Sequence, residues 1–285
     1  MKNVILPVSA LLVAMFSIQS GASLAKQLFP WVGAEGATSL RLFYATLILF
    51  AIWRPWNGKT GKLSRKNLFA LFIYGMSLGS MNLFFYLALA RLPLGLTVAI
   101  EFTGPLSIAL LASRRALDFI WAILAIFGIL LIVPVRATLP GISTPPLDPL
   151  GLFFALAAGI CWAFYIVFGQ KAGGSIHAGR ATSLGMLIAT VAIMPFGIAR
   201  SGNKLLNLNL VPLALGVGVL SSAIPYSLEM TALKRLRTQT FGILMSLEPV
   251  IAALSGLIFL GEHLSASQWI AVTLIMAASL GSSIW

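Results

Sequence analysis

Long apolar runs, separated by short polar segments, extend over nearly the whole chain. Runs such as Val4–Val13 and Leu117–Val133 are continuous, whereas the strands of a membrane barrel alternate apolar and polar residues. A helix needs roughly 20 residues to cross the hydrocarbon core of a bilayer. The pattern therefore predicts an all-α integral membrane protein with ten transmembrane helices, at Val4–Leu24, Ala37–Trp53, Leu68–Leu89, Leu94–Ala112, Leu117–Val133, Pro149–Phe168, Ala181–Ala199, Leu210–Leu233, Thr240–Leu260 and Ser265–Ile284.

The composition supports this class and excludes others. Of 285 residues, 59% are hydrophobic and only 9% are charged, and the mean hydropathy is +0.98. Soluble proteins average about 25% charged residues. These values exclude a soluble enzyme, a disordered tail and a disulfide scaffold, and the single cysteine, Cys161, has no partner for a disulfide within this sequence.

The net charge of +12 is carried by Lys and Arg residues in short loops between the apolar runs. That placement indicates membrane topology and not a nucleic-acid partner. With the N-terminus inside, most of the 19 Lys and Arg residues fall in cytoplasmic segments, in agreement with the positive-inside rule. We therefore expect both termini in the cytoplasm and the Pro134–Asp148 connection outside.

The two halves of the chain resemble each other at an offset of 144 residues. Ala37–Leu40 recurs as Ala181–Leu184, and Pro105 in the fourth span recurs as Pro249 in the ninth. Each half holds five predicted spans, an odd number, so the second half must be inserted upside down. The sequence thus predicts two inverted five-helix repeats, residues 1–136 and residues 149–285, an arrangement typical of secondary transporters.

Three of the seven acidic residues, Glu101, Glu229 and Glu248, lie inside predicted spans, with Glu229 four residues from the end of its span. An ionised carboxylate at the membrane centre costs roughly 2.5–3.5 kcal/mol on insertion scales, so such residues usually face a cavity or a partner. Burial favours the neutral form, which suits a proton carrier. A structural role stays open for all three, as does snorkelling of Glu229 to the surface. We interpret Arg41, also inside a span, as structural, reaching the outer surface or pairing with a glutamate.

Pro105 and Pro249 lie beside Glu101 and Glu248 in their spans. Proline has no N–H, so Pro105 should free the carbonyl of Glu101 from its helical bond. We expect two helix breaks that present carboxylates at nearby depths around a pseudo-twofold axis. The alternative is that both prolines simply bend helices around a bundle.

Gln19, Asn82, Tyr165 and Tyr226 are the further polar candidates for a substrate and proton path. Asn82 and Tyr226 occupy equivalent positions of the repeat. Polar side chains inside spans either line such a path or join helices by hydrogen bonds, and the sequence leaves both roles open.

Motifs of enzymes and of ATP-driven pumps are missing from the sequence. It contains no His-Glu-x-x-His zinc motif, no Gly-x-Ser-x-Gly elbow and no Gly-x4-Gly-Lys phosphate loop. Both histidines, His177 and His263, fall in loops. We therefore expect no enzymatic activity, no cofactor and no metal, and an ion or substrate gradient as the energy source.

Ten helices in two inverted repeats resemble the drug/metabolite transporter superfamily in its EamA-type branch. Three segments, Leu11–Leu40, Glu101–Arg115 and Pro225–Glu262, are similar to bacterial inner-membrane exporters of small amino acids such as threonine and homoserine. The PYSLEM and EFTGP stretches within them are the most specific. The resemblance implies amino-acid export driven by the proton gradient.

The sequence therefore leaves two main functions open. The first is a proton-coupled antiporter that exports small amino acids, with substrate, protons and the lipid bilayer as its partners. The second is a broader drug or metabolite exporter of the same fold, for cationic or aromatic compounds, and a channel or membrane scaffold is a third interpretation. The oligomeric state is left open.

Overall fold

The computed structural model describes residues 2–56, 64–112, 118–132, 148–173, 178–225, 228–229 and 244–284. Within these residues the chain is helical and forms no strand. The helices are α1 (Lys2–Lys26), α2 (Phe29–Trp53), α3 (Arg65–Leu89), α4 (Leu94–Glu101), α5 (Thr103–Ala112), α6 (Asp118–Ile132), α7 (Pro149–Gly173), α8 (Ala178–Ser201), α9 (Val211–Gly218), α10 (Glu248–Leu260) and α11 (Ala266–Ile284).

In the part of the chain that the structure describes, five helices are long and apolar enough to cross a membrane: Ile5–Lys26, Phe29–Trp53, Arg65–Leu89, Pro149–Ala172 and Gly179–Leu206. The other apolar helices are shorter. Large apolar side chains remain exposed on the outside, as at Ile123 (66%) and Val191 (65%). Such surfaces need lipid around them, so the chain is a membrane-spanning protein.

The predicted spans agree with most helix positions, including the second span. The range of α2 contains a kink at Gly33, whose φ of 65° and ψ of 178° are not helical. Phe29–Val32 therefore form a separate turn, which Pro30 suits, and the main helix begins just after Gly33, near the predicted Ala37. Near the same end of the bundle, Gly261 (φ 64°) ends α10 in the left-handed conformation.

The fourth and ninth predicted spans are each interrupted. The segment predicted as Leu94–Ala112 divides at Phe102 into α4 and α5, and the ninth divides at Ser246–Leu247, before α10. Each break lies just before a proline, whose missing N–H removes the bond that would bridge it.

Helices α2 and α8 pack along a line of polar contacts. The hydroxyls of Thr46 and Thr190 hydrogen bond at 2.7 Å. Ser39 donates to the carbonyl of Ile193 (3.2 Å), and Ser183 donates to the carbonyl of Leu49 (3.4 Å). Each of the three residues on α2, namely Ser39, Thr46 and Leu49, has its counterpart on α8 one repeat offset of 144 residues later.

Helix α9 continues into one π-helical turn, Val219–Ala223, which packs against α1. Ser17 donates to the carbonyl of Leu220 at 2.7 Å. A Cβ at Gly21 would lie 2.8 Å from the Ser221 nitrogen, so glycine is needed for this close approach. π-Turns occur frequently at functional sites.

Two ion pairs lie at the helix ends. Lys26, the last residue of α1, pairs with Glu262 at 2.6 Å. The second oxygen of Glu262 accepts from the Leu94 N–H at 2.7 Å.

The second ion pair joins Arg91 to Asp148 at 2.7 Å on the exposed surface. The Arg91 hydrogen bond, aided by the Leu150 N–H, lowers the pKa of Asp148 below its ordinary value.

Candidate functional site

A cavity with an apolar wall and five polar side chains lies between α1, α2, α3, α4, α7 and α10. Its polar lining consists of Gln19, Arg41, Asn82, Glu101 and Glu248, and its apolar lining includes Met81, Phe85, Val98 and Trp162. The cavity volume is about 70 Å³. A single ordered water needs only roughly 10–15 Å³ of such volume, so the cavity has room for several waters or a small solute.

Glu248 is the first residue of α10, and 5% of it is exposed. The Gln19 amide nitrogen donates to Glu248 Oε1 at 3.1 Å. Among the residues that the structure describes, Glu248 Oε2 and Gln19 Oε1 have no hydrogen-bond partner. Two acceptor oxygens in the cavity wall are therefore available to a cationic or hydrogen-bonding ligand.

Glu101 is the last residue of α4, and 6% of it is exposed. It lies close enough to Glu248 and Arg41 to interact electrostatically with both. Pro105 has no N–H, so the backbone carbonyl of Glu101 lacks its helical hydrogen-bond donor. That carbonyl lies 2.8 Å from the position that a Cβ of Gly159 on α7 would occupy. The carbonyl is thus covered by a neighbouring helix.

Arg41 projects from α2 into the same cavity and is 5% exposed. Its Nη2 donates to the carbonyl of Ser221 at 3.2 Å, and its guanidinium lies over the Tyr86 ring at 5.4 Å. Arg41 therefore does not reach the outer surface, and no glutamate among the described residues forms an ion pair with it. The expectation that Arg41 reaches the outer surface is wrong, because its neighbours hold it facing the cavity, whereas its structural role stays a prediction.

The remaining candidates have different positions. Asn82 lines the cavity and donates to the Leu78 carbonyl of its own helix at 2.8 Å. Tyr165 stacks on Tyr74 at 5.1 Å and is not part of the lining.

Glu229 is half-buried and lies near enough to Glu248 to interact with it electrostatically. Tyr226 falls outside the described residues.

The structure brings together four of the seven predicted side chains, Gln19, Asn82, Glu101 and Glu248. Pro105 and Pro249 are not among the residues that line the cavity. Sequence reasoning missed Arg41 and Trp162 as lining residues. An arginine inside an apolar run is itself a functional signal, which would have identified Arg41.

The cavity presents charges of both signs at a short distance from one another. Carboxylates accept an ammonium group, and a guanidinium donates to a carboxylate. Among the described residues, no group of three or more His, Cys, Asp or Glu side chains could hold a metal ion. The arrangement suits a small polar solute with both kinds of charge.

A helical membrane bundle with a buried, charged cavity defines a transporter-like protein, and comparisons with known proteins identify the family. The EamA-like transporter family matches residues 149–284. Threonine/homoserine exporter RhtA of Escherichia coli (strain K12) and of Salmonella typhimurium (strain LT2) are each 50% identical over 279 residues, covering 98% of this chain and 92% of the relative. The chain belongs to the EamA-like transporter family.

Two further matches are more distant. Uncharacterized protein PA1977 of Pseudomonas aeruginosa is 27% identical over 248 residues, covering 82% of this chain and 78% of the relative. A solved crystal structure covers 95% of both chains at a TM-score of 0.53 and 19% identity, which shows likeness of fold alone. The relatives with a named activity are transporters and not enzymes, which confirms that prediction.

Proposed function

We propose that the protein is a secondary exporter of small amino acids, threonine and homoserine first, in the bacterial inner membrane. The observation that carries this proposal is the buried cavity in which Glu101, Glu248 and Arg41 meet. The relatives named threonine/homoserine exporters, at 50% identity, support the choice of substrate.

The cavity chemistry fits a zwitterion. Glu101 and Glu248 accept the substrate ammonium, and Gln19 and Asn82 supply further polar contacts. A hydroxylated side chain adds one more hydrogen bond, which a polar site uses to discriminate strongly against analogues that lack it. Glu229, near Glu248, and Tyr226, the repeat counterpart of Asn82, complete the path, and Tyr165 supports it through its stack on Tyr74.

The export cycle is an antiport by alternating access. Protonation of a cavity carboxylate lets the empty carrier return, and its ionised form binds the substrate. Ten spans in two inverted repeats, residues 1–136 and 149–285, supply the rocking halves. The contacts between repeat counterparts on α2 and α8 support this arrangement, because a pseudo-twofold axis would generate such reciprocal pairs.

Both termini are cytoplasmic in this proposal, which places Lys26 and Glu262 at the outer face. The Lys26–Glu262 pair, with its bond to the α4 N-terminus, joins the ends of α1, α4 and α10 at that face. Cysteines at Gly58 and Gly141, in a background lacking Cys161, should label from opposite sides of the membrane. Labelling of both from one side contradicts the inverted repeat.

Reconstituted protein tests the function directly. In proteoliposomes with an imposed pH gradient, labelled threonine and homoserine should move against their gradients, and a protonophore should abolish that movement. A panel of dyes and quaternary ammonium compounds, run in parallel, tests the broader drug-exporter function. Transport of those compounds without transport of either amino acid overturns the proposal.

A further inference from the structure

The surroundings of Arg41 differ from those of an ordinary buried arginine. A guanidinium taken out of water is stabilised only where it is paired and its donors are bonded. Arg41 is 5% exposed, yet the one carbonyl that accepts from it among the described residues is that of Ser221. It also lies over the Tyr86 ring and interacts electrostatically with Tyr86 and Glu101. Its Nε has no partner within that part of the chain. The positive charge therefore lacks a full complement of acceptors.

The carboxylates of the cavity do not supply that complement. Glu101 interacts with Arg41 electrostatically, but no Arg41 ion pair within 4.0 Å occurs among the described residues. Glu248 is engaged by Gln19 on α1. The cavity therefore holds a negative end, formed by the two glutamates, and a separate positive end with a free donor.

That separation matches the two charged ends of an amino acid. We propose that Arg41 is the carboxylate-binding subsite of the cavity, and that an α-carboxylate is required in the transported substrate. This inference rests on the proposed function and adds the group that selects amino acids over amines of the same shape. The planar guanidinium offers two parallel donors to a carboxylate, an arrangement that a lysine cannot reproduce.

The test compares L-threonine with L-threonine amide, which keeps the ammonium, the hydroxyl and the size but has no carboxylate. Binding is measured on the purified full chain in detergent from the rise of its melting temperature with ligand concentration, which yields an apparent Kd. In the wild type, the amide should bind at least about tenfold more weakly than threonine, the value expected for a charge-assisted contact.

The variant Arg41→Gln should remove that preference. The Kd of threonine should rise at least about tenfold, while the Kd of the amide stays unchanged or falls, because a repelling charge has left the cavity. Arg41→Lys keeps the charge and should give an intermediate preference, and it serves as the second variant if Arg41→Gln does not fold. Arg180→Gln is the matched control, since Arg180 also has a buried, unpartnered Nε among the described residues but does not line the cavity.

The outcomes separate the two proposals. If threonine binds the wild type and the preference over its amide survives in both Arg41 variants, the carboxylate subsite is wrong and the proposed function stands. Equal binding of threonine and its amide by the wild type leads to the same conclusion. A purely structural role for Arg41 weakens both ligands by the same factor, which also overturns the inference. Failure of the wild type to bind either threonine or homoserine overturns the proposed function and the subsite with it.

Discussion

Glu101 and Glu248 each adjoin one of two helix breaks that lie 144 residues apart, Glu101 before its break and Glu248 after its own. The first helix is interrupted at Phe102, and the second is interrupted at Ser246, 144 residues later. Glu101 is the last residue before its break and ends α4, whereas Glu248 follows its break and begins α10. A helix break therefore places one carboxylate at the C-terminal end of a helix and the other at the N-terminal end of a helix.

The helix dipole makes these two positions electrostatically unequal. Unsatisfied N–H groups at a helix N-terminus favour an anion, and carbonyls at a C-terminus disfavour one, each by about 0.3–1 kcal/mol when exposed and up to about 2 kcal/mol when partly buried. Glu248 also accepts the Gln19 hydrogen bond. We therefore expect the two carboxylates to have different roles, with Glu248 as the main partner of the substrate ammonium and Glu101 as the group on the proton path.

A packing constraint explains why the first half has no glutamate at the position of Glu248. Its counterpart there is Gly104, where an added Cβ would collide with the carbonyl of Gly159 on α7. In the second half, α10 and the residues before it pack instead on larger side chains of α1, Leu11 and Met15. The close α5–α7 crossing leaves no space for a carboxylate at position 104.

The largest expected effect is that of Glu101→Gln, which mimics a permanently protonated carboxyl. Gradient-driven export of threonine should fall to background because no proton is exchanged, while substrate counterflow at equal pH continues. Both are measured in proteoliposomes. Normal driven export with an unchanged pH dependence would remove Glu101 from the proton path.

Glu248→Gln should act mainly on affinity. Losing a charged partner for the ammonium should weaken threonine binding by about 1.5–3 kcal/mol, or roughly 10- to 150-fold in Kd. The melting-temperature titration measures it, with Gln19→Glu as a variant that adds charge at the same contact. If Glu248→Gln instead binds normally and loses only proton drive, the roles of the two glutamates are reversed.

Gly104→Ala tests the packing constraint. The new methyl group meets backbone rather than a flexible side chain, so we expect a loss of about 1–3 kcal/mol in stability. Thermal unfolding in detergent measures it. Gly216→Ala is the matched control, because its Cβ would meet only the end of Leu24 at 3.3 Å, and it should be neutral or stabilising.

Glu262→Gln should have the smallest effect. Glu262 joins the far ends of the two interrupted helices, since it follows α10 and accepts from the first N–H of α4. Its ion pair with Lys26 is partly exposed, so we expect a loss of about 1 kcal/mol or less. Asp148→Asn, in the more exposed pair with Arg91, is the comparison and should change stability less.

The exposed Arg91–Asp148 pair should make the stability of the protein depend on pH in a way that does not involve the cavity residues. Because the pKa of Asp148 is lowered in the folded protein, its contribution to stability is present above its ordinary pKa and is lost as the pH falls through the lowered value. This loss should be absent in Asp148→Asn. The same loss in that variant would assign the acid sensitivity to other groups.

The sequence alone determined the class of fold, the approximate positions of the helices and the two break points. Continuous apolar runs require a lipid environment, and Pro105 and Pro249 cannot complete a helical ladder wherever they are packed. A carboxylate in such a run is costly, and that cost is enough to make Glu101 and Glu248 candidates without knowledge of their neighbours.

Only the tertiary structure decided which polar groups share a cavity. In a soluble helix the apolar stripe identifies the inward face, but in this chain lipid-facing and inward-facing positions are both apolar, so the sequence has no stripe to read. The direction of Arg41 into the cavity and the stacking of Tyr165 on Tyr74 outside its lining therefore depend on how the helices pack. Close crossings such as Gly104 on Gly159 likewise join residues far apart in the chain.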